Sequence, residues 1–394
     1  MDDSVNLKDS VNLKDLKAAI PAKCFESSAT RSLTYLARDI IYASILVTLA
    51  LQIERIPSPA LRILAWGAYT YLQGCVGTGL WILGHECGHG AFSPYGKLND
   101  CLGWLIHSFL LVPFFSWKIT HARHHRYTGH PTKDVVFVPE KEEELRASNP
   151  SRLEVLIDYA EDTPIVTLAR LLQHQLLGWQ IYLFLYPTSG KNSLPASEQS
   201  KKSLDHSHFN PRSRLFTDSQ RWSIAISDLG LILTLSFLAV VASQVGVYKT
   251  ALLYFVPYFW VHHWLVAITY LHHTHPDVPY HTEESWTFTK GALGTIDRSV
   301  GFVGRHFFHE IVDYHVVHHL FPKIPFYHAE EATRAIQPLL KEQYFETKDE
   351  SFMKSLWNTF QSCNYVSGSQ SGVPGEDGKM YWVTKRAGSK TSQL

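Results

Sequence analysis

Three short stretches of this sequence set imidazoles at helical intervals. His85 and His89 are spaced i, i+4, whereas His121, His124 and His125 are spaced i, i+3, i+4, as are His315, His318 and His319. On a helix, such spacing turns the rings of one stretch toward a common point. Neutral imidazole is also the commonest side-chain metal ligand near pH 7. The three clusters offer eight candidate nitrogen ligands, while a single zinc uses three or four. Eight suit two ions with open positions, and iron accepts an all-nitrogen field. A ninth ligand is expected in Leu271-His272-His273-Thr274-His275, with His273 the first choice and His275 the second.

Competing chemistries exist. His85-Glu86-Cys87-Gly88-His89 spells H-E-x-x-H, a zinc-protease signature in which Glu86 would be the general base. Gly88 weakens the helix this motif needs, and six clustered histidines would be left without a role. A metal transporter is the other alternative, but its ligands should lie near the bilayer midplane. These clusters begin where apolar runs end. Histidines outside the clusters, such as His107, His208 and His328, are read as structural or surface residues, and His309 is left open.

The clusters need a scaffold, and the apolar runs supply it. The 394 residues carry 36 basic and 36 acidic side chains, so no global basic field draws in nucleic acid. Five scattered cysteines without a CxxC argue for a reducing cytosolic face. Apolar runs at about 39–56, 61–83, 224–245 and 250–271 approach the length of a membrane helix. Gly74, Gly77 and Gly79 in the second run favour close helix packing. Residues 102–115 are too short to cross and are expected to be re-entrant or interfacial, and 165–186 to lie on the membrane surface. Residues 188–220 read as an exposed connection, with 224–245 and 250–271 as a tight hairpin. The expected fold is an all-α integral membrane protein with four transmembrane helices and a cytosolic helical cap carrying the clusters. Its parts are a mobile N-terminal arm at 1–33, a domain at 34–345 and a C-terminal tail at 346–394. Most Lys and Arg lie on the cluster side, as the positive-inside rule expects.

The clusters and their contexts resemble the membrane fatty acid desaturases, most closely the delta-12 (oleate) enzymes of fungi and plants. The resemblance runs from about Ile20 to Leu340. It includes Ala91-Phe92-Ser93 after the first box, Thr132-Lys133-Asp134 after the second, His273-Thr274-His275-Pro276, and Leu320-Phe321-Pro322 after the third. It implies a di-iron centre ligated by the box histidines, and electrons from cytochrome b5 and its reductase. It also implies a phospholipid-bound or CoA-bound acyl substrate and residence in the endoplasmic reticulum. No His-Pro-Gly-Gly haem-binding sequence occurs, so the donor is expected to be a separate protein. Gly90 departs from the usual delta-12 pattern toward omega-3 enzymes, and relatives include bifunctional desaturases, acetylenases and hydroxylases. A mid-chain methylene has no acidic proton, so its hydrogens must leave to an oxidant, here O2 activated on metal. An apolar tunnel must hold the carbons in place, with Trp81, Trp104, Trp260 and Trp264 as candidate walls. Asp228 and Asp313 are candidate partners for box histidines.

Overall fold

The computed structural model describes residues 11–147, 163–195, 205–370, 373–374 and 378–383. The described chain is mostly helical. Helices α1 (Leu13–Ala19), α2 (Ala29–Ala50) and α3 (Pro59–His89) come first, then α4 (Gly96–Phe109) and α5 (Phe114–Tyr127). They are followed by α6 (Glu142–Ala147), α7 (Pro164–Phe184), α8 (Arg221–Val245) and α9 (Val256–His273). Shorter helices α10 (Phe288–Leu293), α11 (His315–Leu320), α12 (Phe326–Leu340) and α13 (Phe352–Ser362) complete the set used below.

Three helical stretches are long and apolar enough to cross a membrane: Ala29–Arg55, Asp218–Val245 and Val247–His273. The pair α4–α5 makes a fourth candidate, but it is bent by 108° at its break. That bend suits the re-entrant segment expected at 102–115. The run at 61–83 lies within α3, where glycines, tyrosines and Gln73 dilute the apolar character. At 31 residues, α3 is roughly 46 Å long at 1.5 Å per residue. It starts on Ser58, whose hydroxyl accepts from the Leu61 N–H, with Pro59 in the first turn. It stops at Gly90 in the left-handed region at φ +72°. Its glycines are places of close approach: a Cβ on Gly74 would overlap Trp260 of α9.

The two arms of the expected hairpin hold different neighbours. Helix α8 packs on the bent pair α4–α5, whereas α9 packs on α3 and α7. Ile165, Leu168, Leu172 and Leu176 leave an exposed apolar stripe along α7 at intervals of three or four residues, the pattern of a helix lying at a membrane surface.

Three expectations need correction within the described residues. The connection at 188–220 is not uniformly exposed: His208, Ser213, Leu215 and Phe216 are buried, and the last two pack with Val135, Tyr186 and Ile224. From Asn12 to Phe25 the N-terminal arm is docked rather than loose, with Leu16, Ile20 and Cys24 buried against Val317, Leu320 and Ile336; residues 1–10 lie outside the described part. The last 25 or so residues, which read as a loose tail, likewise contribute a strand. Lys379–Val383 pairs antiparallel with both Tyr280–His281 and Tyr365–Ser367, burying Met380 and Trp382. In each case a few apolar side chains in a polar stretch find a ready-made surface.

Candidate metal centre

Four helices deliver the clustered histidines. The last turns of α3 carry His85 and His89, α5 carries His121, His124 and His125, α9 ends on His273, and α11 carries His315, His318 and His319. Their rings form two adjoining groups. In the first, His85, His89, His121, His125 and His318 have ligand nitrogens within 4.8 Å of one another. In the second, His124, His273 and His319 do so, and His315 joins them with its Nε2 3.4 Å from that of His273. The groups touch where His125 and His319 stack at 4.2 Å. All nine predicted ligands are therefore brought together.

The spacing fits metal ions. Nε2 atoms lie 3.2 Å apart in His85–His89 and 3.1 Å apart in His121–His125. Nitrogens each about 2.1 Å from a shared ion stand about 3.0 Å apart at right angles and about 3.4 Å apart in a tetrahedron. The buried Nε2 of His318 has no hydrogen-bond partner, an arrangement costly to leave unfilled. Burial pushes the His85 imidazole down to about 3. Burial, and then neighbouring imidazoles, also lower His89, His315, His318 and His319 far below their ordinary range. The rings are thus held neutral, the form that ligates metal.

Residues behind the rings orient them. Asp134 Oδ1 accepts from His124 Nδ1 at 2.8 Å, which leaves Nε2 free to ligate. Its carboxylate is itself fixed by the Gly129 and Val136 N–H groups at 2.8 and 3.0 Å. Thr128 Oγ1 lies 3.1 Å from His319 Nδ1. Arg298, 1% exposed, donates to the carbonyls of Leu271 and Thr274 at 2.9 and 3.2 Å and so clasps the turn presenting His273. Sequence reasoning missed all three. Asp134 stood in a quoted stretch, and its position nine residues beyond His125 gave no periodic signal. The proposed partners Asp228 and Asp313 are not hydrogen-bonded to a box histidine; each has a buried carboxylate oxygen without a hydrogen bond.

The remaining candidates sort cleanly. His272 sets its ring nitrogens 2.6 and 2.9 Å from the carbonyls of Ile268 and Val312. His275 accepts from the Asp277 N–H at 3.2 Å. His107 bonds the Trp81 carbonyl at 3.0 Å, and a Cβ on Gly84 would overlap its ring. His309 pairs with buried Asp39 at 2.8 Å. Glu86, 1% exposed, accepts from the Phe326 N–H at 3.1 Å. Burial raises its carboxyl to about 8 against that hydrogen bond. It is committed to the protein rather than to a hydrolytic water.

A cavity of about 900 Å³ opens onto both groups, reaching His85, His121, His124, His273, His315 and His319. That volume is in the usual range for small-molecule sites. Trp81, Trp117, Trp179, Leu265 and Ile268 form apolar walls, while Lys290, Asn358, Gln361 and Asn364 lie at polar ones. Of the tryptophans expected to line it, only Trp81 does so among the described residues. Trp264 packs on Phe308, Trp260 on Tyr71, and Trp104 bonds the Ile226 carbonyl.

Helices suited to a bilayer that gather this many imidazoles at the wall of an apolar cavity define a membrane-associated metalloenzyme. The family model for fatty acid desaturase matches residues 62–350. An oleate hydroxylase from Claviceps purpurea is 42% identical over 91% of this chain and 78% of its own length. A delta(12) fatty acid desaturase from Mortierella alpina is also 42% identical, over 90% of this chain and 88% of its own. An omega-6 fatty acid desaturase of the endoplasmic reticulum from Brassica juncea is 37% identical over 94% and 91%. The chain belongs to the fatty acid desaturase family, and is an oxidoreductase that acts at a membrane on an acyl substrate with O2.

Proposed function

We propose that the chain is a di-iron desaturase of the endoplasmic reticulum that converts oleoyl to linoleoyl chains by delta-12 desaturation. Cytochrome b5 and its reductase supply two electrons per turnover. The observation that carries this reading is the convergence of nine imidazoles, six of them on the wall of one largely apolar cavity, in a chain 42% identical to a delta(12) desaturase. His85, His89, His121, His125 and His318 would hold one iron, and His124, His273, His315 and His319 the other. Irons bound there supply oxygen activation, the chemistry that removes hydrogen from an unactivated methylene.

The chain's own residues do the positioning. Trp81 and Trp117 stand against the acyl chain and the rings at once: Trp117 stacks on His121 at 4.4 Å and Trp81 on His85 at 5.7 Å. Their faces exclude water and limit which carbons reach the centre. Asp134, Thr128 and Arg298 keep the ligands aimed. The topology has four spans, α2, α3, α8 and α9. Because α3 exceeds the roughly 30 Å hydrocarbon layer, its last turns carry His85 and His89 out of the lipid into a cytosolic cap.

Oleate hydroxylation is a second reading, favoured by 42% identity to the Claviceps purpurea hydroxylase. Expression in a host rich in oleate, with fatty-acid profiling, separates the readings. A new cis diene is the expected product, and a hydroxy acid would transfer the assignment to hydroxylation. A triene or an alkyne would point to omega-3 or acetylenic chemistry. Purified protein should carry two irons per chain. One zinc without iron, with lipids unchanged, would restore the protease or transporter alternative.

A further inference from the structure

We infer that Cys24, His328 and Glu331 form a further metal site, separate from the histidine centre, that takes one borderline-soft divalent ion such as Zn2+. The thiol sulfur, one imidazole nitrogen and one carboxylate oxygen all lie within 4.8 Å of one another. Two elements far apart in sequence supply them. Cys24 sits in the single helical turn Ala22–Phe25, while His328 and Glu331 are spaced i, i+3 on the first turns of α12. This spacing sets both side chains on one face, and that face meets Cys24. A set of sulfur, nitrogen and oxygen donors selects zinc over magnesium or calcium, which take oxygen alone.

The site lies behind the third box. Helix α11 points His318 and His319 at the metal centre and presents Val316, Val317 and Leu320 to the cluster that contains Cys24. Cys24 is fully buried, and Glu331 keeps a solvent-facing side. Without an ion, Glu331 pairs with Lys23 at 3.0 Å. Binding therefore displaces the Lys23 ammonium and releases the thiol proton, so affinity rises with pH. A bound ion would fasten residues 12–25 to α12. That helix holds Glu86 of the first box through the Phe326 N–H, so the clasp braces the wall between two boxes.

The test uses full-length, iron-loaded enzyme titrated with Co2+. The expected result is a thiolate-to-cobalt charge-transfer band saturating at one equivalent per chain and bleached by Zn2+. The histidine centre cannot give this band, because all its predicted ligands are nitrogens. Cys24→Ser should abolish it with iron content unchanged. His328→Ala should weaken binding by about tenfold or more, the scale of lesser losses at metal sites. Lys23→Gln, an exposed change that leaves the donors intact, should tighten binding by removing the competing ammonium. No thiolate band in the wild-type enzyme, or a band that survives Cys24→Ser, would show that the cluster is only a hydrogen-bonded network. Iron content and lipid products are read separately, so failure here leaves the histidine centre standing.

Discussion

Asp134→Asn probes the centre through a residue that ligates nothing. The carboxylate takes three N–H donors, from His124, Gly129 and Val136. Asparagine keeps the shape but has one acceptor oxygen, so one of these donors must face an amide NH2. If the amide oxygen stays with His124 and Val136, the Gly129 N–H is orphaned; if it turns, His124 loses its anchor. A hydrogen bond to a charged group contributes about 1.5–3 kcal/mol, and 1.4 kcal/mol is a factor of ten. Iron affinity in the group holding His124 should therefore fall about 10- to 100-fold, the range for such outer partners. The assay equilibrates purified wild type and variant against a graded chelator series and counts iron per chain, with helical content recorded alongside. The expected curve has two steps, with the weaker shifted and the other unmoved. If the variant's curve superposes on the wild type and its turnover is unchanged, Asp134 does not orient a ligand and the assignment of His124 loses its main structural support.

Other expectations follow from the same geometry. His273→Ala should cut iron to about one per chain and abolish desaturation, whereas His275→Ala should keep both irons; the opposite pattern would make His275 the ninth ligand. Arg298→Lys retains the charge but loses the fork that clasps Leu271 and Thr274, so iron binding at the His273 group should weaken by about tenfold, read by the same chelator titration. Trp179→Phe trims a cavity wall that meets Trp81 edge to face at 6.1 Å. It should alter the distribution of double-bond positions or chain lengths in a lipid profile while leaving two irons bound. Holding the enzyme against a strong chelator should stop turnover, and Fe2+ but not Zn2+ should restore it.

What was legible beforehand was what repeats locally. Imidazoles at i, i+3 and i+4 announce a shared helical face, so eight of the gathered histidines could be named from spacing, while the choice of His273 over His275 had no periodic signal behind it. The apolar runs likewise pointed to long helices at α2, α8 and α9, although α2 begins at Ala29, well ahead of the run expected from 39. The supports were not, because Asp134, Thr128 and Arg298 act through hydrogen bonds that leave no period. Asp228 and Asp313 were chosen for standing near a span or a box, yet adjacency in sequence does not aim a carboxylate at a ring. The cavity walls were half hidden too. Trp117 and Trp179 reach the site only because the chain bends by 108° between α4 and α5 and because α7 packs on α9.

The ligand shell cannot decide between a diene and a hydroxy acid. A desaturase and a hydroxylase stand at the same 42% identity to this chain, and both outcomes begin with loss of hydrogen from the same kind of methylene. What differs is whether a second hydrogen, on the neighbouring carbon, lies within reach before the first carbon is captured by oxygen. That is a question of how firmly two adjacent carbons are held, and a misplacement of about 1 Å can cost a hundredfold in rate. The relevant surfaces are therefore the rings of Trp81, Trp117 and Trp179 and the aliphatic face of Leu265 and Ile268, rather than any histidine. If substitutions at those five positions never change the ratio of diene to hydroxy product while ligand substitutions do, the outcome is set at the metal and this reasoning fails.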